Sequence, residues 1–266
     1  MNRRIVIMGV LTLLVFTSVS CSYSRRFQEV RRFVAPEAQQ GVAVDAEYVY
    51  VVGTRRIGKY DKQTAECTAR WEGTEDGPII HLDSGVVVDG KLYCAHSNYP
   101  KLPMTSSVEI WDTGTLEHVG RHDFGVQYGS CTWFDRHDGY WWAVFAQYDR
   151  WKHATGKGTE STTLVKFDGR RKELKRWVFP KEVVERIIPM SNSGGSWGPD
   201  GYLYCTGHDR SEVYVTKIPD RGSVLELVET MPLPVLGQGI AWDRSRPGFI
   251  YGIRRKSSQV VVSRLK

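Results

Sequence analysis

Ser193-Gly-Gly-Ser-Trp-Gly-Pro-Asp-Gly-Tyr-Leu-Tyr-Cys-Thr-Gly-His-Asp-Arg210 decides the fold. Its Asp200-Gly201 pair separates a short run from a strand-like run that ends at His208 and Asp209. Glycine accepts the positive φ of a tight turn, so Asp-Gly flanked by strand formers reads as a hairpin. The pattern recurs at Gly41 to Gly53, at Gly85 to Ser97 around Asp89-Gly90, at Cys131 to Gln147 around Asp138-Gly139, and at Gly239 to Arg254. Its anchoring aspartates are Asp45, Asp89, Asp135, Asp200 and Asp243, spaced 44, 46, 65 and 43 residues apart. A nearly fixed period of this size, carried by short strands, signals a propeller, a solenoid or an array.

Two further strands follow each hairpin. The third ends in Asp in four copies, at Ile57–Asp61, Val108–Asp112, Leu164–Asp168 and Val213–Asp220, and runs Gln259–Leu265 in the fifth. The fourth covers Cys67–Glu72, Leu116–Phe124, Glu173–Phe179 and Leu225–Met231. The chain ends before a fifth copy of this strand. Its counterpart stands at the other end, where Glu29-Val-Arg-Arg-Phe-Val-Ala-Pro36 parallels Glu173-Leu-Lys-Arg-Trp-Val-Phe-Pro180. The expected fold is therefore all-β: a five-bladed β-propeller of four-stranded antiparallel blades, its ring closed by the N-terminal strand, over residues 29–266. Closure removes the open edges that an all-β array otherwise exposes. A helix is expected over 181–188, and long loops over 98–106 and 149–162.

The start of the chain reads as an export signal. Arg3-Arg4 precede the apolar run Ile5–Phe16, and small residues lead to Cys21. Residues 1–20 are expected to be a signal peptide and 21–28 a tether. Ser18-Val19-Ser20-Cys21 resembles a bacterial lipobox, which implies lipidation of Cys21, membrane attachment through that lipid, and a periplasmic or cell-surface location. A freely secreted protein is the alternative. Cys67, Cys94, Cys131 and Cys205 lack metal-ligand spacing and are expected to be buried free thiols.

The formal net charge is +6 over 266 residues, spread in short clusters. There is no basic stripe and no reading motif, which argues against nucleic acid. A monomer is expected.

Strand direction sorts the polar residues between the two faces of the ring. Gln39, Gln40, His81, Asp83, Gln127, Ser191–Ser193 and Gln238 precede or open inner strands. Arg55, Arg56, His96, Asn98, Gln147, Tyr148, His208, Asp209, Arg254 and Arg255 end or follow second strands. All belong at one mouth, whereas the other face receives ordinary turn residues. His81, His96 and His208 are placed around one funnel. The expected roles are His81 and His208 as acid and base, with Asp209 orienting His208. Arg254 or Arg55 is expected to hold a carboxylate, while His96, Asn98, Gln147, Tyr148 and Gln238 contact the ligand. No cofactor is identified, and a divalent metal held by the histidines stays open.

The repeated Gly-x-x-x-Asp strands and Asp-Gly hairpins resemble exported bacterial β-propellers of the gluconolactonase-like and cycloisomerase-labelled kind. That resemblance implies an enzyme, an isomerase, lyase or lactonase, acting on a small anionic sugar-like compound. The alternative is a non-catalytic surface module that binds a glycan or a protein through loops 98–106 and 149–162.

Overall fold

The computed structural model describes residues 25–266. The expected signal peptide, Cys21 and the first part of the tether lie outside the described residues. Strand β1 (Phe27–Val34) is followed by β2 (Gly41–Val44), β3 (Tyr48–Gly53), β4 (Arg56–Asp61) and β5 (Cys67–Glu72), which make blade one. Blade two holds β6 (Leu82–Val88), β7 (Lys91–Ser97), β8 (Ser106–Asp112) and β9 (His118–Gly125). Blade three holds β10 (Ser130–His137), β11 (Tyr140–Ala146), β12 (Thr163–Phe167) and β13 (Glu173–Val178). In blade four stand β14 (Gly194–Trp197), β15 (Leu203–Thr206), β16 (Glu212–Lys217) and β17 (Glu226–Pro232). Blade five has β18 (Ala241–Trp242), β19 (Phe249–Arg254) and β20 (Gln259–Leu265), with β1 as its outer strand.

This is the five-bladed, terminally closed propeller expected from the repeat. β1 runs antiparallel to β20, from Phe27 opposite Leu265 to Val34 opposite Gln259. It begins two residues before the boundary read from the sequence. Arg25 is already attached, through ion pairs to Asp200 and Glu229 of blade four. Two short α-helices occur among the described residues, α1 (Lys152–Thr155) and α2 (Lys181–Ile187).

The core lies between blades rather than at the axis. Blades one and two enclose Tyr50, Leu82, Leu92 and Trp111, and blades two and three enclose Phe124, Phe134, Phe145 and Phe167. Trp133, Leu164, Trp177 and Tyr214 fill the next gap, against Val183 and Ile187 of α2. Phe27 of β1 packs with Tyr204 and Trp242 between blades four and five, and Val260 and Val262 of β20 pack against Val42 and Val49 between blades five and one. Each alternating strand buries a face in each of two gaps, which is why the repeat is rich in Val, Tyr and Trp. The four described cysteines are free, and Cys94, Cys131 and Cys205 are buried.

Two of the anchoring aspartates, Asp45 and Asp200, are turn formers, whereas Asp135 lies buried in β10 and accepts from the Trp197 amide and Arg244 of the next blades. Asp45 accepts from the Glu47 and Tyr48 amides and from the Tyr50 hydroxyl, at 2.7–2.8 Å. Asp200 repeats this with the Tyr202 amide and the Tyr204 hydroxyl. Both carboxylates close the turn that the repeat predicts.

Candidate functional site

One small cavity opens where the inner strands begin. Two β-bulges shape it. In β6, Leu82 pairs with His96 and Gly85 with Cys94, so two residues, Asp83 and Ser84, occupy the span of one. In β10 the same happens between Cys131 and Trp133. A bulge re-aims a side chain, and here Asp83 and Thr132 come to line the cavity. Gln40, Ser193 and Gln238 join them from the segments before β2, β14 and β18. His81 comes from the segment before β6, while His208 and Arg255 arrive from beyond β15 and β19. Tyr99, Tyr148 and Met190 complete the wall.

Below this level the axis is closed. A Cβ at Gly41 would lie 2.6 Å from Ser84 Cβ, and one at Gly239 only 2.2 Å from it. A Cβ at Gly194 would meet Gly239 Cα at 2.7 Å. Backbone from four blades thus touches on the axis, and the site is a cup rather than a channel. Its volume is about 140 Å³, similar to cavities of roughly 150 Å³ that hold one benzene-sized molecule. It admits a small molecule and excludes a polymer chain.

His208 and its neighbours form a directed array. His208 Nδ1 lies 2.6 Å from Asp209 Oδ1, and Arg255 Nη1 lies 3.4 Å from His208 Nε2. Both contacts are satisfied when Nδ1–H donates to Asp209 and Nε2 carries the lone pair. Gln238 supports the array: it adopts φ +67°, its carbonyl accepts from Thr206 at 2.6 Å, and its side-chain amide donates to the His208 carbonyl at 3.4 Å.

Asp83 faces His81 across 3.9 Å. Burial pushes the Asp83 carboxyl well above the usual carboxylate range, with Arg255 only partly opposing it. Burial also brings the His81 imidazole down to about 4, helped by its neighbours His96 and Arg255. Burial in the cup therefore favours the uncharged form of both groups. Burial and the Asp83 carboxyl likewise raise the Tyr148 phenol, which stays protonated.

Of the residues anticipated from the sequence, Gln40, His81, Asp83, Tyr148, Ser193, His208, Gln238 and Arg255 line this cup, and Asp209 reaches it through His208. The remaining ligand candidates lie elsewhere. His96 is buried behind the wall: its Nε2 accepts from the Ile80 amide at 3.1 Å, and its Nδ1 meets Ser107 Oγ at 2.8 Å. Ser107 in turn donates to Glu109. Asn98 closes its own loop through Pro103 and Thr105, and Gln147 donates to the Tyr128 carbonyl. Arg254 turns outward to the Pro234 carbonyl and Glu29, so Arg255 is the guanidinium at the cup. Arg55 lines an adjacent cavity that shares His81 and Tyr99. Strand direction in the sequence placed Asp83 and Arg255 at this mouth, but did not show the bulge or the turn that aims them inward. Among the described residues, no three His, Cys, Asp or Glu side chains converge as a metal site.

No family model matches the chain, and no curated protein matches it in sequence. Solved structures do share the fold. The PQQ-bound aldose sugar dehydrogenase of Streptomyces coelicolor superposes with a TM-score of 0.56 at 8% identity, covering 91% of this chain and 99% of its own. A luciferin-regenerating enzyme gives 0.51 at 10% identity, covering 91% and 95%. The Cps50 (Swd1) β-propeller domain of Myceliophteria thermophila gives 0.51 at 11% identity, covering 90% and 100%. At these identities the likeness concerns the propeller alone.

Proposed function

We propose that this propeller is an exported enzyme that moves protons on a small, carboxylate-bearing, sugar-like compound. The observation that carries the reading is the meeting of His208, Arg255, Asp83 and His81 in one blind cup of about 140 Å³. Arg255 holds the substrate carboxylate, since a guanidinium fork matches it. His208 Nε2 takes a proton from the carbon beside that carboxylate, and Asp209 steadies the resulting imidazolium. Asp83 gives its proton to the substrate oxygen that gains charge, with the neutral His81 beside it. Return of a proton from His208 to the neighbouring carbon, and of one to Asp83, completes an isomerisation. Where a hydroxyl stands on the next carbon, Asp83 gives its proton to that hydroxyl, whose C–O bond breaks as the carbon–carbon double bond forms, so that water leaves and elimination results; solvent then resets both groups. Gln40, Thr132 and Gln238 offer hydroxyl contacts. Export and lipidation at Cys21 belong to the same proposal, because such a site would meet its substrate outside the cytoplasm.

The test is a thermal-shift screen against sugar acids, lactones and divalent metals, followed by solvent deuterium exchange into each ligand that shifts the midpoint. A metal-independent shift with one acid class, and exchange that His208→Ala abolishes, is expected. Exchange unchanged in that variant would overturn the assignment. For the leader, labelled palmitate is expected in the wild type and not in Cys21→Ser.

A further inference from the structure

Behind the wall of the cup, in blade two, lies a buried polar chain that the proposed reaction does not use. Its outer end is Glu109 of β8, whose side chain is 1% exposed. Glu109 Oε2 lies 2.9 Å from His118 Nε2, and Oε1 lies 3.4 Å from Arg121 Nε. The Ser107 hydroxyl donates to Oε1 at 2.7 Å and meets His96 Nδ1 at 2.8 Å. At the inner end, His96 Nε2 accepts from the Ile80 amide at 3.1 Å.

One arrangement of protons satisfies these contacts. An amide can only donate, so Nε2 carries the lone pair and Nδ1 the proton. Nδ1–H then donates to Ser107, and Ser107 to the carboxylate. Burial draws the His96 imidazole down to about 4, opposed by Glu109 and Asp123 and aided by Arg121, which favours the uncharged ring with a free Nε2. Burying a carboxylate is costly, and an apolar set of the same shape is commonly no less stable. What such a chain can supply instead is orientation, and its inner end shows what is oriented. Ile80 stands in the segment before β6, outside the strand ladder. Among the described residues, its amide is the one between Gly77 and Leu82 that has a partner. The next residue is His81, whose carbonyl accepts from the Ser97 amide at 3.0 Å. Leu82 pairs with His96 itself, at the edge of the bulge that turns Asp83 into the cup. His96 thus lies against the backbone that carries both His81 and Asp83, whose side chains face each other at 3.9 Å.

We propose that His96 is a positioning residue: through the Ile80 amide it fixes the segment that sets His81 beside Asp83, while Ser107 and Glu109 hold its ring in the one tautomer that can accept. A partner that fixes the tautomer and direction of a histidine is the usual work of a carboxylate placed behind it. Here the oriented histidine grips the backbone of a second histidine rather than a substrate. Its effect on turnover rests on the reading of the cup given above; its hold on His81 does not.

The experiment follows amide exchange and histidine ring signals of the whole chain by NMR, in wild type, His96→Phe, His96→Gln and Ser107→Ala. In wild type the His96 ring is expected as the Nδ1–H tautomer, with Ile80 protected and the His81 ring protons shifted by Tyr99, whose ring centre stands 5.1 Å away. His96→Phe keeps a ring but not the acceptor. Ile80 is then expected to exchange about tenfold faster relative to Leu82, whose amide stays on the Thr54 carbonyl, and the His81 shift should shrink. His96→Gln presents an oxygen where Nε2 stood and is expected to restore both. Ser107→Ala leaves Nδ1–H without its acceptor and frees the other tautomer, so it should loosen Ile80 in the same direction; it carries the test should His96→Phe misfold. Solvent deuterium exchange into D-glucuronate and D-gluconate is expected to fall about tenfold in His96→Phe and to recover in His96→Gln. No exchange into either acid in wild type would tell against the reading of the cup, and the Ile80 and His81 signals would still decide the positioning role. An Nε2–H tautomer in wild type, equal acceleration of Ile80 and Leu82, no recovery in His96→Gln, or acid exchange undiminished in His96→Phe would each overturn the proposal.

Discussion

His208 and Asp209 are adjacent in sequence and hydrogen-bonded side chain to side chain, Nδ1 to Oδ1 at 2.6 Å. The contact turns the other ring nitrogen toward Arg255 and the cup. A histidine so oriented is a base with a defined lone pair, and its removal tests the site directly. His208→Ala is expected to lower kcat by roughly 10²–10⁴, the usual share of a positioned acid–base group. The ring is partly exposed, so the melting temperature should move little. A large loss of stability with little loss of turnover would make the residue structural. Asp209→Asn should act in the same direction with a smaller effect.

The two arginines at the end of β19, Arg254 within it and Arg255 just beyond, should separate cleanly. Arg255→Ala removes the carboxylate partner and is expected to raise KM about 10–100-fold, the loss of a charged hydrogen bond of ~1.5–3 kcal/mol. Arg254→Ala loses ties to Pro234 and Glu29 and should leave KM unchanged. Steady-state kinetics of both variants, compared on one substrate, decide the matter.

The Asp83 carboxyl keeps its proton to a higher pH in the fold than in the unfolded chain. The folded state thus binds the extra proton, and stability falls as pH rises from the unfolded carboxyl value toward the raised folded one. Asp83→Asn mimics the protonated form. It should melt higher than wild type at pH 7, match it near pH 4, and lose turnover. An equal melting shift at both pH values would contradict the assignment.

His81 and His96 titrate in the opposite sense. Each falls from 6.5 in the unfolded chain to about 4 in the fold. The unfolded chain therefore binds more protons between those values. Their stabilising contribution is intact above pH 6.5 and is lost as pH drops toward 4, by roughly 3 kcal/mol each at ~1.36 kcal/mol per unit. Chemical denaturation across pH 4–7, with imidazole proton shifts read by NMR, checks both size and window.

The closed axis can be tested by one methyl group. Gly239→Ala places a Cβ 2.2 Å from Ser84 Cβ and 2.9 Å from Gly41 Cα. The backbones cannot separate without opening the ring, so a loss of at least ~1–3 kcal/mol is expected. Gly169→Ala, which meets nothing within 4 Å, is the control. Urea midpoints of the two variants give the comparison.

The chain's order of turns and strands already contained the architecture. Five Asp-anchored hairpins, three of them turning at Asp-Gly, the alternation of Val, Tyr and Trp, and the copy of the Glu173 strand at Glu29 are local patterns, and each folds locally or pairs with a neighbour in register. Blade number, strand content and ring closure followed from them, as did the mouth to which His81, His208 and Gln238 belong. Which side chain enters the cup was settled only in three dimensions. The bulge in β6 turns Asp83 inward, and Ser107 with Glu109 draws His96 behind the wall. A turn after β19 substitutes Arg255 for Arg254. Glycines from blades one, four and five close the floor against Ser84 of blade two. Each outcome depends on contacts between segments scores of residues apart, and a one-residue shift in a strand reverses the face a side chain meets. Periodicity specifies the strands; packing between blades decides where the few polar groups at their ends come to rest.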